Sequence, residues 1–88
     1  MAAKLVLMPE AQDDLRQAYA WYEQPWLGLG EELLASVEAC LQRLSREPGL
    51  FAKIREDDRR SLIRWLPYAV FYEYDGATLT VRRLPHVS

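Results

Sequence analysis

The sequence predicts an α+β domain in which a helical hairpin packs on a small, mostly antiparallel sheet, in the order β-α-α-β-β-β-β. Three observations carry that expectation. Apolar residues recur twice at helical spacing between Ala11 and Leu44. After Pro48-Gly49 the period becomes strand-like, with aromatic and β-branched residues crowded between Arg59 and Tyr74. Asp75-Gly76 is a dipeptide of the kind that closes hairpins.

The elements follow in order. Lys4 to Met8 is apolar enough for a short first strand, and Pro9 behind it suits the first turn of a helix. Glu10, Asp13 and Asp14 put negative charge where the helix dipole favours it. Ala11, Leu15, Ala18 and Tyr22 form one face of that helix, which runs to about Gln24 before Pro25, Gly28 and Gly30 break it. A second helix spans Leu29 to Glu47, with Leu33, Leu34, Val37, Cys40, Leu41 and Leu44 as its apolar stripe. At about 27 Å it is long enough to pair with the first as a hairpin. Phe51 to Arg55 is a weak strand and Asp57-Asp58 a turn. Arg59 to Leu66 and Tyr68 to Tyr74 are the strong strands, divided at Pro67, and Ala77 to Leu84 is the last.

The 88 residues make one domain, 1–88. A chain of this size buries roughly 60–65% of its unfolded surface, so its stability margin is thin. Half of the residues are hydrophobic, and part of that apolar surface is expected to belong to a partner. The net charge of −2 hides an asymmetry. Residues 1–50 hold four cations against eight anions, and residues 51–88 hold seven against five. An acidic front and a basic back suggest two surfaces with different partners.

Cys40 is the only cysteine, so no internal disulfide forms, and no ligand cluster accompanies it to make a zinc site. Asp57-Asp58 supplies too few oxygens for a hard cation. No cofactor is expected. There is no signal peptide and no apolar run near the ~20 residues of a membrane span, so the expected place is the cytoplasm. Neither a membrane nor a small-molecule substrate is expected as a partner.

The candidate target-binding residues are Arg59, Arg60, Arg64, Arg82 and Arg83, with His86. Arginines fixed on a sheet can grip carboxylates or phosphates, often in bidentate fashion. By strand alternation Arg60, and not Arg59, shares a face with Arg64. The alternative is that individual arginines pair with Glu56, Asp57, Asp58 and Glu73. His86 is the only histidine, a thin supply of acid–base groups for catalysis, and no catalytic residue is assigned. Trp21 and Trp26 lie beside the first helix's apolar stripe, where they either pack under the domain's own loop or line a groove for an amphipathic segment.

Several stretches resemble one family. Ala18-Tyr19-Ala20-Trp21-Tyr22-Glu23, Gly28-Leu29-Gly30-Glu31-Glu32-Leu33-Leu34, Arg59-Arg60 and above all Pro67-Tyr68-Ala69-Val70-Phe71-Tyr72 are similar to the ParE branch of the RelE/ParE toxin superfamily. The resemblance covers nearly the whole chain in the right order. It implies the toxin of a type II toxin–antitoxin module, the same fold, a cognate antitoxin that wraps it, and a role in growth arrest or plasmid and chromosome stabilisation. DNA gyrase is the implied target, bound as a protein and not through direct nucleic-acid contact. Trp21, Tyr22, Trp26, Leu33 and Val37 are the antitoxin-contact candidates.

The sequence departs from the mRNA-cutting RelE branch. Ala69 stands where that branch has an arginine and Leu62 where it has a lysine, although Arg60 can fill another basic position. Val87-Ser88 follows His86 where a basic tail with a tyrosine is usual, and many ParE-like chains also continue with Gly-Arg-Arg. A ribosome-dependent mRNA endonuclease is one alternative reading. The shortened C-terminus favours another, a non-toxic antitoxin-binding relative.

Overall fold

The structure, a computed structural model, describes residues 2–87, and of Arg55 the backbone alone. Its elements are β1 (Lys4–Leu7), α1 (Pro9–Glu23), α2 (Leu29–Arg46), β2 (Lys53–Arg55), β3 (Asp58–Leu62), β4 (Ala69–Tyr74) and β5 (Thr78–Arg83). They form a five-stranded sheet in the order β1-β5-β4-β3-β2. β1 runs parallel to β5, and every other pairing is antiparallel.

Both helices cover one face of this sheet. Ala11 and Ala18 of α1 and Leu33, Val37, Leu41 and Leu44 of α2 are buried against Val70, Tyr72, Leu79 and Val81. Each large side chain so enclosed contributes on the order of 1.5–3 kcal/mol, which makes this layer the source of the fold's stability. The hairpin is drawn tight by Gly30, where an added Cβ would lie 2.8 Å from the Tyr19 ring. Glu23, at the end of α1, accepts from the Gly28 N–H at 3.1 Å and the Gly30 N–H at 2.9 Å. It thereby supplies the anionic cap that the side-chain-less start of α2 lacks.

β3 ends four residues before the expected Leu66. The Ile63 N–H reaches the Tyr68 carbonyl at 2.9 Å and the Leu66 N–H reaches the Ile63 carbonyl at 3.1 Å, closing a turn. Trp65 sits in that turn with a φ of 71°, a left-handed conformation rare for so bulky a residue. The β2–β3 turn falls at Glu56-Asp57, so Asp58 opens β3. At the β4–β5 turn, Asp75 Oδ1 accepts from Ala77 N–H at 2.9 Å and Thr78 N–H at 2.7 Å, and Gly76 takes a φ of 97°.

Candidate functional site

The candidate arginines do not form one platform; as strand alternation predicts, Arg59 and Arg60 part to opposite faces of the sheet. Arg59 pairs with Tyr72 in register and points to the helix side, where it donates to the Phe51 carbonyl. Its Nε is buried without a hydrogen-bond partner. Beside Arg82 and Arg83 the β4–β5 register slips. Arg82 stays on the open face, bound to Glu73 and lying 3.5 Å from Asp58. Arg83 reaches α1, donating from Nε to Asp14 Oδ2 at 2.8 Å and from Nη2 to Oδ1 at 3.1 Å. Alternation and a bulge therefore send neighbouring arginines in different directions.

Arg60 and Arg64 remain exposed and make no ion pair among the described residues. The Arg64 guanidinium lies over the Trp65 ring, 5.1 Å from its centroid, in a cation–π contact. His86 is exposed and meets the Tyr68 ring edge-on at 5.3 Å.

The helical hairpin carries the larger apolar exposure. Trp21 is 70% exposed, Trp26 71% and Leu27 94%. Such exposure on two tryptophans is a cost in water unless something covers them. Tyr22 is half-buried against Tyr68, their ring centroids 6.1 Å apart. Leu33 and Val37 are buried in the core, so they are corrected from contact residues to packing residues. Their stripe faces the sheet because it holds the hairpin down.

Trp21 also forms one wall of a cleft of about 460 Å³ between α1 and the segment after β5. Asp14, Tyr68, Leu84, Pro85 and His86 are among its other lining residues. Residues so far apart in sequence give no local signal, and the cleft was not foreseeable from spacing. Leu27 was missed for a different reason: a leucine in a helix–helix turn reads as ordinary loop.

Burial pushes the Tyr68 and Tyr72 hydroxyls up, so both are neutral near pH 7. The Arg83 hydrogen bonds, aided by the Leu84 N–H, hold the Asp14 carboxyl below the usual carboxylate range. Burial pushes the Cys40 thiol up, which leaves little thiolate for nucleophilic chemistry. Among the described residues no helix is long and apolar enough to cross a membrane.

A family model described as "ParE toxin of type II toxin-antitoxin system, parDE" matches residues 5–88. The chain belongs to the ParE toxin family. Among solved structures, a chain of the chromosomal ParDE toxin–antitoxin system from P. aeruginosa superposes with a TM-score of 0.86 at 14% sequence identity. The match covers 99% of this chain and 98% of that one, and at this identity it shows the shared fold. Among curated proteins none matches the sequence. The ParE fold thus survives a nearly complete change of side chains, with the strand–hairpin–sheet order retained.

Proposed function

We propose that this ParE-family chain acts by binding and not by catalysis: it inhibits a protein target, of which DNA gyrase is the first candidate, and is neutralised by a cognate antitoxin. The observation that carries the neutralisation step is the exposure of Trp21, on the wall of the 460 Å³ cleft between α1 and the segment after β5, and of Trp26 in the helix–helix turn. Large aromatic anchors next to a concave surface are what an amphipathic partner segment engages. The antitoxin then covers Trp21, Trp26 and the side of Tyr22, and adds contacts along the short edge strand β2.

Arg60, Arg64 and Trp65 are the proposed target-facing residues, because their charge and aromatic surface are not consumed by the fold. Arg59, Arg82 and Arg83 act at most through these by holding the sheet. A gyrase supercoiling assay with purified protein tests the target: inhibition at micromolar protein is expected, and none at that concentration removes gyrase. Titration with the product of the adjacent reading frame tests neutralisation, which should restore supercoiling at a fixed stoichiometry.

A further inference from the structure

The outward face of α2 has a symmetry that the fold does not use. Glu32, Ser36, Ala39, Arg43 and Arg46 follow one another at spacings of four, three, four and three, so they form a single stripe. At about 100° per residue the stripe is centred about 135° around the helix from the buried Leu33, Val37, Leu41 and Leu44, on the flank that borders Cys40. Ser36 is half-buried and the other four are exposed. The stripe is acidic at the helix start, small at its centre and basic at its end. Counting outward from Ala39, Glu32 and Arg46 lie the same number of residues away on opposite sides.

This pattern is self-complementary under a two-fold axis through Ala39. An antiparallel copy of α2 places Glu32 against the other copy's Arg46 twice, opposes the two helix dipoles, and lets the backbones approach at small side chains. Neither Arg43 nor Arg46 makes an ion pair among the described residues that would compete.

A second feature borders the same stripe. Ser36, Ala39 and Arg43 form one side of a depression of about 290 Å³ whose other side is Phe51, Leu62, Arg64 and Trp65. Leu62 is 59% exposed and Trp65 86%. Trp65 is held exposed in a left-handed turn, so neither burial nor backbone preference explains its presence there. A two-fold perpendicular to the helices brings both Arg64–Trp65 turns to the same side of the pair, where they flank the helix contact.

We infer that the outward face of α2, with the Trp65 turn beside it, is the interface for a second copy of this chain, in an antiparallel two-fold dimer. A helix of about 27 Å laid along its copy with these apolar flanks buries on the order of 1,000–1,200 Å² in total, at the low end of specific interfaces where association is weak and reversible. The dimer forms without antitoxin or target; because it covers the Arg64–Trp65 turn, it competes with target contact there and leaves Arg60 open.

Sedimentation equilibrium of the purified full chain tests it. A mass near twice 10.3 kDa is expected at about 100 μM protein, falling toward the monomer on dilution. Glu32→Arg and Arg46→Glu should each weaken dimerisation at least about tenfold, through two lost pairs and two repulsions. The double variant Glu32→Arg/Arg46→Glu restores it to within about threefold of the parent, since the charges are only exchanged. Circular dichroism melts verify that all three variants fold. A monomer throughout that range overturns the inference, and so does a dimer indifferent to the single reversals or unrestored by the double one.

Discussion

Arg83 and Asp14 form a bidentate ion pair that joins the end of β5 to the second turn of α1, across 69 positions of sequence. The same Asp14 Oδ2 accepts the Leu84 N–H at 2.9 Å. One carboxylate therefore fixes both the last strand and the chain's exit from it, beneath the cleft that holds Trp21. Asp14→Asn keeps a side-chain oxygen that can accept the Leu84 N–H but loses the charge. It should destabilise the domain by about 1–2 kcal/mol, seen as a drop of roughly 4–8 °C in melting temperature.

The same carboxylate sets a pH dependence. Asp14 and Asp75 both have carboxyls held below their ordinary value of 3.8, Asp14 chiefly by Arg83 and Asp75 chiefly by the Thr78 N–H. In the window below 3.8 the unfolded chain binds more protons than the folded one, so stability rises with pH there. Their contribution is present above pH 3.8 and is lost as pH falls through the depressed folded values. Urea titrations across that window should show the parent losing stability more steeply than Asp14→Asn.

Gly30 marks the closest approach of α1 and α2. In a solvent-facing helix, Gly→Ala would stabilise by up to about 1 kcal/mol. Here the new methyl meets the Tyr19 ring at 2.8 Å, so the sign reverses. Gly30→Ala should destabilise by about 1–3 kcal/mol, and combining it with Tyr19→Ala should recover part of the loss. Thermal melts of the two variants decide it.

The corrected roles on the hairpin make opposite predictions for neighbouring apolar residues. Leu33→Ala should cost about 2–5 kcal/mol of stability, because the side chain is enclosed. Trp21→Ala and Trp26→Ala should leave stability within about 0.5 kcal/mol while each weakens antitoxin binding roughly 30-fold or more. Calorimetric titration paired with melts separates the two effects; unchanged affinity in both tryptophan variants removes the hairpin as the antitoxin surface.

Trp65 gives a test of backbone strain. Its φ of 71° suits asparagine better than tryptophan. Trp65→Asn should raise stability by about 0.5–1 kcal/mol despite the loss of the Arg64 stacking contact, as read from the denaturation midpoint.

The layers of this fold are written plainly in the sequence where physics is local. The stripe Leu33-Val37-Leu41-Leu44 and the turn at Asp75-Gly76 need only neighbouring residues, and both appear where spacing places them. The strand order β1-β5-β4-β3-β2 agrees with the α+β reading. What failed is non-local. Nothing near Arg83 announces Asp14, and no pattern within β3 shows that Arg59 will end against Phe51. Side-chain destinations across the core depend on register and bulges, and these are settled by pairings that a linear reading does not contain. Leu33 and Val37 show the converse error: a stripe that is correctly seen as apolar was assigned to a partner when the domain itself consumes it.

The parallel pairing of β1 with β5 carries a consequence for biosynthesis. In the sheet β1 has β5 as its one neighbour, and about 70 residues separate the two. A nascent chain emerging from the ribosome must keep its opening segment waiting until the closing one has cleared the exit tunnel. The sheet therefore closes at β1 only once β5 has emerged, so the domain gains its opening strand after the rest of the sheet is in place.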